Sequence, residues 1–330
     1  MVLFQFIRAL AGPPISKWAT APSLPQESAE GFRLGNGITL WRLPVGYVRT
    51  RYRHIRLEDE IADTPDDFRF PMMMADRRIG EWLTCTSWLI EHPEKIILVD
   101  TGEARDFGSA AYFEGSSLMT RRLYPRIIDV QVPENQTLPR LLQAAGKGLA
   151  DIEQCVLTHL HSDHIGNIGL LSPNTQILLA KAETLSTEGT GRMPQKLPKD
   201  NSRIQFTNVT TQEPIFEWAH VLTARGDIRV INTPGHTVGH SSVLVDLGEE
   251  QVLLAGDCAF DDQQVIEGAV PGIIEDLSML QQTYAKLRAL NDSKPTTMLF
   301  THDGTNHEKL RSQFPTVNGD SPAVDGRSSA

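Results

Sequence analysis

The chain has 330 residues, 40% hydrophobic and 22% charged, with a formal net charge of −10. That length and apolar content allow one large buried core and exclude a wholly disordered chain, while the acidic balance excludes a nucleic-acid partner held chiefly by phosphate neutralisation. Cys85, Cys155 and Cys258 are too few and too widely spaced for a disulfide framework, so a reducing, cytoplasmic setting is expected.

Residues 1–32 read as an N-terminal extension punctuated by Pro13, Pro14, Pro22 and Pro25. Its apolar start, MVLFQFIRALAGPP, is interrupted by Arg8 and is far short of the roughly 20 residues of a membrane span. It reads as a docking segment, with a homodimer contact as one use and no membrane role. Residues 33–311 form the expected single domain. ITLWRLPVGYV, EWLTCTSWLIEH and KIILVDTG are β-branched and aromatic runs broken by turn residues, the pattern of successive strands. In VRTRYRHIR, Arg49, Arg51 and Arg53 alternate as on a solvated strand face, balanced by Glu58, Asp59 and Glu60. The loop FRFPMMMAD carries Phe68, Phe70, Met72, Met73 and Met74, which read either as an apolar wall for a substrate chain or as cover for the core or a dimer contact.

TLPRLLQAAGKG predicts a helix closing at glycine, and IEQCVLTH a buried strand running into THLHSDHIG. Strands are predicted at TQILLAKAE, IRVINTPGH, SSVLVDLG and QVLLAGD. A helix over about 273–290 follows, with Ile273, Leu277, Leu280, Tyr284 and Leu287 at steps of four and three, and then a strand at TTMLFTHD. The Ser/Gly/Pro/Asp-rich residues 312–330 predict a disordered tail. Strands that first dominate and then alternate with helices predict two sheets covered by helices on their outer faces.

THLHSDHIG places His159, His161, Asp163 and His164 on a turn just after an apolar strand, where a rigid scaffold positions functional loops. Imidazole with carboxylate is the donor set of zinc and similar divalent metals, and Gly166 lets the chain pack closely as it turns onward. Three further apolar runs end in a candidate ligand: His236 in INTPGH, Asp257 in LLAGD and His302 in LFTHD. Five histidines and two aspartates exceed one tetrahedral metal and imply two, a pair able to hold a bridging hydroxide. His54, His92, His220 and His307 stand alone and read as ordinary hydrogen-bonded side chains.

THLHSDHIG resembles the HxHxDH signature of the metallo-β-lactamase superfamily, and LVDTG, TPGHTVGH, LLAGD and FTHD resemble its other markers in the family's order, over roughly residues 35 to 310. The resemblance implies an α+β fold, a four-layer αβ/βα sandwich of two mostly antiparallel mixed sheets with helices outside. It also implies that His159, His161 and His236 hold a first metal, that Asp163, His164 and His302 hold a second, and that Asp257 bridges them. Asp100 and His240 are then orienting residues next to the ligands. Zinc is the expected metal, with cobalt, manganese or iron able to take the same donors.

Within the superfamily, His161 stands where di-iron oxygen reductases have glutamate. The short stretch after His302 lacks the C-terminal helical region of glyoxalase II enzymes. Antibiotic-hydrolysing members typically lack the bridging aspartate, and some place a cysteine there. Cys258, beside Asp257, would point to the opposite side and pack. The run from TPGHTVGHSSVLVD through LLAGDCAFDD to LFTHD looks most like the N-acyl-homoserine lactone lactonases. The implied activity is lactone hydrolysis by a metal-bridging hydroxide, with Asp163 and Asp257 as the catalytic carboxylates and Asp163 passing a proton to the leaving oxygen. One departure stands out. Those lactonases commonly carry a tyrosine three residues after the bridging aspartate, and here it is Phe260, which cannot donate a hydrogen bond. Tyr112, Tyr124 or the second metal would have to substitute. The alternatives are another ester, phosphodiester or organophosphate hydrolase, for which Arg121 and Arg122 are the nearby basic pair, and a catalytically silent binding protein.

Overall fold

Successive residues of a strand point to opposite faces, so an unbroken apolar run such as Val252–Ala255 requires cover on both sides. The structure is a computed structural model that describes residues 23–317 apart from 26, 58–71, 74, 75, 77, 186–190, 208 and 209. Strands β1 (Glu30–Gly35), β2 (Ile38–Arg49), β3 (Leu83–Glu91), β4 (Ile96–Val99), β5 (Asp129–Gln131), β6 (Gln154–Val156), β7 (Gln176–Leu179) and β8 (Ile204–Phe206) form one sheet in spatial order 1-2-3-4-6-7-8, with β5 beside β2. Strands β9 (Thr211–Glu213), β10 (Glu217–Val221), β11 (Ile228–Asn232), β12 (Ser241–Asp246), β13 (Gln251–Gly256) and β14 (Thr296–Phe300) form a second in order 14-13-12-11-10-9. Both are mixed: β4, β6, β7 and β8 pair in parallel in the first sheet, and β13 with β14 in the second.

The helices are α1 (Tyr52–Ile55), α2 (Leu118–Ile127), α3 (Leu138–Ala144), α4 (Ser162–Ile165), α5 (Asp262–Glu267), α6 (Leu277–Ser293) and α7 (Asn306–Arg311). Val252 and Leu254 meet Ile97, Val99 and Val156 between the sheets, while Leu253 and Ala255 face Leu280, Tyr284 and Leu287 of α6. On the far side, Leu98 and Cys155 pack with Leu138, Leu141 and Leu142 of α3 and Tyr124 of α2. The order is helix, sheet, sheet, helix, the four-layer αβ/βα sandwich expected from the motifs. Among the described residues, no helix is long and apolar enough to cross a membrane.

The helix expected from residue 273 starts later, because the Asp276 carboxylate accepts the Met279 N–H at 2.8 Å and caps it there. Helix α2 was not expected from the sequence: it carries Pro125 inside it and is capped by Ser117 accepting from Thr120 N at 3.0 Å. The solvated-strand reading of VRTRYRHIR is wrong. The strand ends at Arg49, residues 52–55 are helical, and Arg49 and Arg51 are buried. Arg49 pairs with Asp129 at 2.7 Å and lies 4.6 Å over the Trp82 ring, and Arg51 donates to Asp76 O at 2.5 Å, so each buried guanidinium has its own partner.

Residues outside both expected domain boundaries pack on the fold. The start of the supposed tail packs, with Phe314 buried and Val317 N donating to Gly31 O at 2.8 Å. At the other end β1 begins at Glu30, and Tyr47 donates to Pro25 O at 2.9 Å. The N-terminal docking segment, residues 318–330, Phe68, Phe70 and Met74 lie outside the described residues.

Leaving a buried charge without its partner costs about 3–5 kcal/mol, whereas an exposed pair is worth about 1 kcal/mol or less. Asp129→Ala is therefore expected to lower the unfolding free energy in urea by about 3–5 kcal/mol, and Glu267→Ala, which breaks the exposed pair with Arg56, to leave the urea midpoint nearly unchanged. Equal losses would show that Trp82 alone holds Arg49.

Candidate metal centre

Strands β4, β6, β11, β13 and β14 end at one edge, and the residues just beyond them meet there. His159 Nε2 and His161 Nδ1 are 2.9 Å apart, and His236 Nε2 lies 3.2 Å from the first and 2.9 Å from the second. Beside this triangle His302 Nε2 sits 3.1 Å from Asp257 Oδ2 and 3.3 Å from Asp163 Oδ2, and His164 Nε2 sits 3.3 Å from Asp257 Oδ2. All seven side chains are at most 8% exposed, so water does not screen their charges. Gly166 makes the turn after this loop possible, since a Cβ there would come within 2.6 Å of Ala104 N and Gly102 O.

The ring orientations follow from what lies behind each imidazole. His236 Nδ1 faces Ile273 O at 2.8 Å and His302 Nδ1 faces Thr84 O at 2.9 Å. A carbonyl only accepts, so each Nδ1 carries the proton, and in the neutral ring the Nε2 lone pair points to the centre. His164 Nδ1 is held at 2.7 Å by Asp100 Oδ2, and Asp100 also accepts Thr158 N and Oγ1 at 2.8 and 2.7 Å. These bonds hold Asp100 at a left-handed φ of 58°. His240 accepts the Asp257 N–H at 3.0 Å and turns Nδ1 to Thr233 O at 3.1 Å, and burial pushes its pKa down to about 4. It fixes Asp257 from behind.

Electrostatics divides the centre in two. Burial, then the neighbouring imidazoles, hold His159 and His236 well below the usual histidine range, leaving neutral nitrogen donors. Burial alone would raise the carboxyls, yet His302 and His164 hold Asp257 well below its ordinary value, and His164 and His302 hold Asp163 at about 2. Burial opposes charge on His302 as well, and Asp257 with Asp163 overcomes it to push that pKa up to about 10. Asp257 Oδ1 and His164 Nε2 are buried with no hydrogen-bond partner. Imidazole nitrogens about 3 Å apart, next to two buried anions, fit divalent cations about 2 Å from each donor.

Sequence reasoning missed Cys85, which joins Asp163 and His302 as a third ligand-type side chain, its Sγ 4.0 Å from Asp163 Oδ2. Burial and the Asp163 charge push its thiol pKa well up, so it stands there as a neutral wall. No motif surrounds it; Thr86 N donating to Thr301 O at 3.2 Å is what carries β3 alongside the end of β14. Cys258 packs in the outer core away from the ligands, as expected. Phe260 stacks on the His302 ring at 5.4 Å and 21°. The two candidate tyrosine donors are committed: Tyr112 donates to Glu103 Oε1 at 2.7 Å and Tyr124 to Gly191 O. Met72 packs against Leu57 and Val270, and Met73 is buried beside Gly272. Arg121 and Arg122 are exposed on α2. His54, His92, His220 and His307 enter no ligand cluster among the described residues.

The sequence profile described as the metallo-beta-lactamase superfamily matches residues 80–314. An N-acyl homoserine lactonase of Rhizobium radiobacter is 28% identical over 226 residues, covering 66% of this chain and 80% of its own. One of Bacillus cereus is 24% identical over 245 residues, covering 72% and 88%. In fold, the chain is similar to an N-acyl homoserine lactone hydrolase solved with N-hexanoyl-L-homoserine at its catalytic metal centre, with TM-score 0.62, 18% identity, and 86% and 96% of the two chains covered. It is also similar to a dizinc quorum-quenching lactonase, with TM-score 0.55, 18% identity, and 84% and 91% covered.

A ligand that binds only the folded state adds RT ln(1 + [L]/Kd), about 4 kcal/mol at a thousand times Kd. Stripping the protein with a chelator is therefore expected to lower its melting temperature, and zinc to restore it. Asp257→Asn, which removes half the anionic charge, is expected to shrink that gain. A melting temperature indifferent to zinc would contradict a cation site.

Proposed function

Because the chain belongs to the metallo-β-lactamase superfamily, we propose that it is a dinuclear-metal hydrolase that opens lactone rings, with N-acyl-homoserine lactones as its substrate class. The observation that carries this reading is the convergence of seven buried donors into an imidazole triad beside two anionic carboxylates, with burial holding His159 and His236 of that triad neutral. The relatives named as N-acyl homoserine lactonases supply the substrate class. In this proposal His159, His161 and His236 hold one ion, Asp163, His164 and His302 the other, and Asp257 serves both. The ions are zinc, and the same donors also suit cobalt, manganese or iron.

Bound there, a pair of divalent ions supplies Lewis acidity and a water activated at neutral pH. The protein's own groups do the rest. Asp100, Ile273 O and Thr84 O fix three ring planes, so that the donors need not reorganise during the reaction. Asp163 has one oxygen at the centre, against His302 and 4.0 Å from the Cys85 sulfur. That places it to take a proton from the attacking water and pass it to the departing alkoxide. Phe260 offers an apolar face and no proton.

That last point favours a second reading. With Phe260 stacked on His302 and the Tyr112 and Tyr124 hydroxyls committed elsewhere, none of these three positions offers a donor to a lactone carbonyl, and an activated aryl ester or phosphotriester would need that donor less.

Short-chain and long-chain N-acyl-homoserine lactones are to be offered to protein with about two ions per chain, with ring opening followed by proton release. Opening that His161→Ala abolishes supports the lactonase. No opening, with turnover of aryl esters or phosphotriesters, supports the second reading. Asp163→Asn is expected to lower kcat by about 100-fold or more with KM little changed. Phe260→Tyr is expected to raise kcat on lactones, since one well-placed donor is worth about 2–4 kcal/mol; an unchanged kcat would show that the hydroxyl has no role in this chain.

A further inference from the structure

The triad at the centre is assembled from two sheets. His159 and His161 follow β6 of the first, and His236 follows β11 of the second. A cation shared by all three therefore needs a fixed spacing between two loops; one backbone bond, Ser241 N to Thr158 O at 2.9 Å, joins them at the strand ends, and closer to the histidines one side chain spans the gap. Glu183, in a short 3-10 turn after β7, is fully buried. Its Oε2 accepts the N–H of Leu160, the residue between His159 and His161, at 3.0 Å. Its Oε1 accepts Thr237 Oγ1 at 2.5 Å and Gly239 N at 3.0 Å, one and three residues beyond His236. A Cβ on Gly239 would lie 2.7 Å from that oxygen, so glycine is what permits the approach.

The clamp is braced from behind. Arg192 donates to the carbonyls of Ala182 and Glu183, each at 2.9 Å, and pairs with Glu275 at 2.9 Å. Glu275 in turn accepts Val238 N at 2.9 Å, and its own N–H reaches Gly235 O and His236 O. Met193 N donates to Leu160 O at 2.8 Å, so the Leu160 residue is held through both its N–H and its carbonyl. None of these bonds touches Asp163, His164 or His302.

We propose that Glu183 is a positioning residue that sets the spacing of the His159–His161 loop against the His236 loop, and so the affinity of that half of the centre for its metal ion. The proposal rests on the metal-binding reading above. It assigns to Glu183 an effect on one half of the centre that a purely structural carboxylate would not have. Glutamine in its place offers one accepting oxygen, and its NH2 would face the Leu160 N–H as a second donor.

The test is stepwise cobalt(II) binding by chelator competition and by visible spectrum, on the full-length chain and on Glu183→Gln. Leu287→Ala in the outer core, which takes part in none of the bonds above, controls for lost stability. Expected for Glu183→Gln is a roughly 10–100-fold weaker first-half site, the size of effect of losing an orienting partner, with a changed cobalt spectrum and the second ion still bound. Should that variant fail to fold, Thr237→Val removes one of the three bonds and is expected to act in the same direction, less strongly. Equal weakening of both ions, the same loss in Leu287→Ala, or unchanged binding would each overturn the proposal. Native protein that binds no cobalt at all would instead overturn the metal reading beneath it.

Discussion

The structure turns on two carboxylates buried in one small volume. Asp163 and Asp257 both lie within 3.3 Å of His302 Nε2, and neither is more than 8% exposed. Buried anions without compensation are costly enough to unfold a domain or to take up protons. Here each carboxylate has imidazoles beside it, and four of the rings, His164, His236, His240 and His302, are anchored from behind by an oxygen. The balance keeps both aspartates ionised and makes the centre a place where positive charge is required.

The scaffold meets that requirement by putting the centre on the seam between its sheets. Asp100, Thr158 and His164 lock together within the first sheet, and His240 holds Asp257 within the second. Across the seam, His302 of the second sheet is fixed by Thr84 O of the first, while Glu183 joins the loops on the other side. Strand ends are rigid, and bonds that cross the seam make the two sets of strand ends one body. A site built this way has its donors in place before a cation arrives, so less binding free energy is lost to ordering.

Much of this was legible in the sequence, for a physical reason. A strand end followed closely by a ligand-type side chain is a local pattern, and the chain repeats it after β6, β11, β13 and β14. The apolar runs also announced sheets covered on both faces. What stayed hidden depends on partners distant along the chain. Arg49 and Arg51 alternate like solvated residues, yet their acceptors are 80 and 25 residues away. Pro125 disguised α2, and with it the placement of Tyr124. Cys85 reaches the centre only through the neighbouring strand ends, and Glu183 only through contacts 23 to 56 residues distant.

Phe260 shows how one position can carry two separable tasks. Its ring lies nearly parallel to that of His302, and the stack together with Thr84 O fixes the plane in which Nε2 meets both aspartates. A tyrosine would keep that stack and add a donor; a smaller residue would lose both. The chain retains the packing task and gives up the donor, and the hydroxyls of Tyr112 and Tyr124 are spent on Glu103 and Gly191. Polarising an acyl or phosphoryl oxygen then falls to whatever cations the two carboxylates hold. A bond with a good leaving group or in a strained ring needs the least further help.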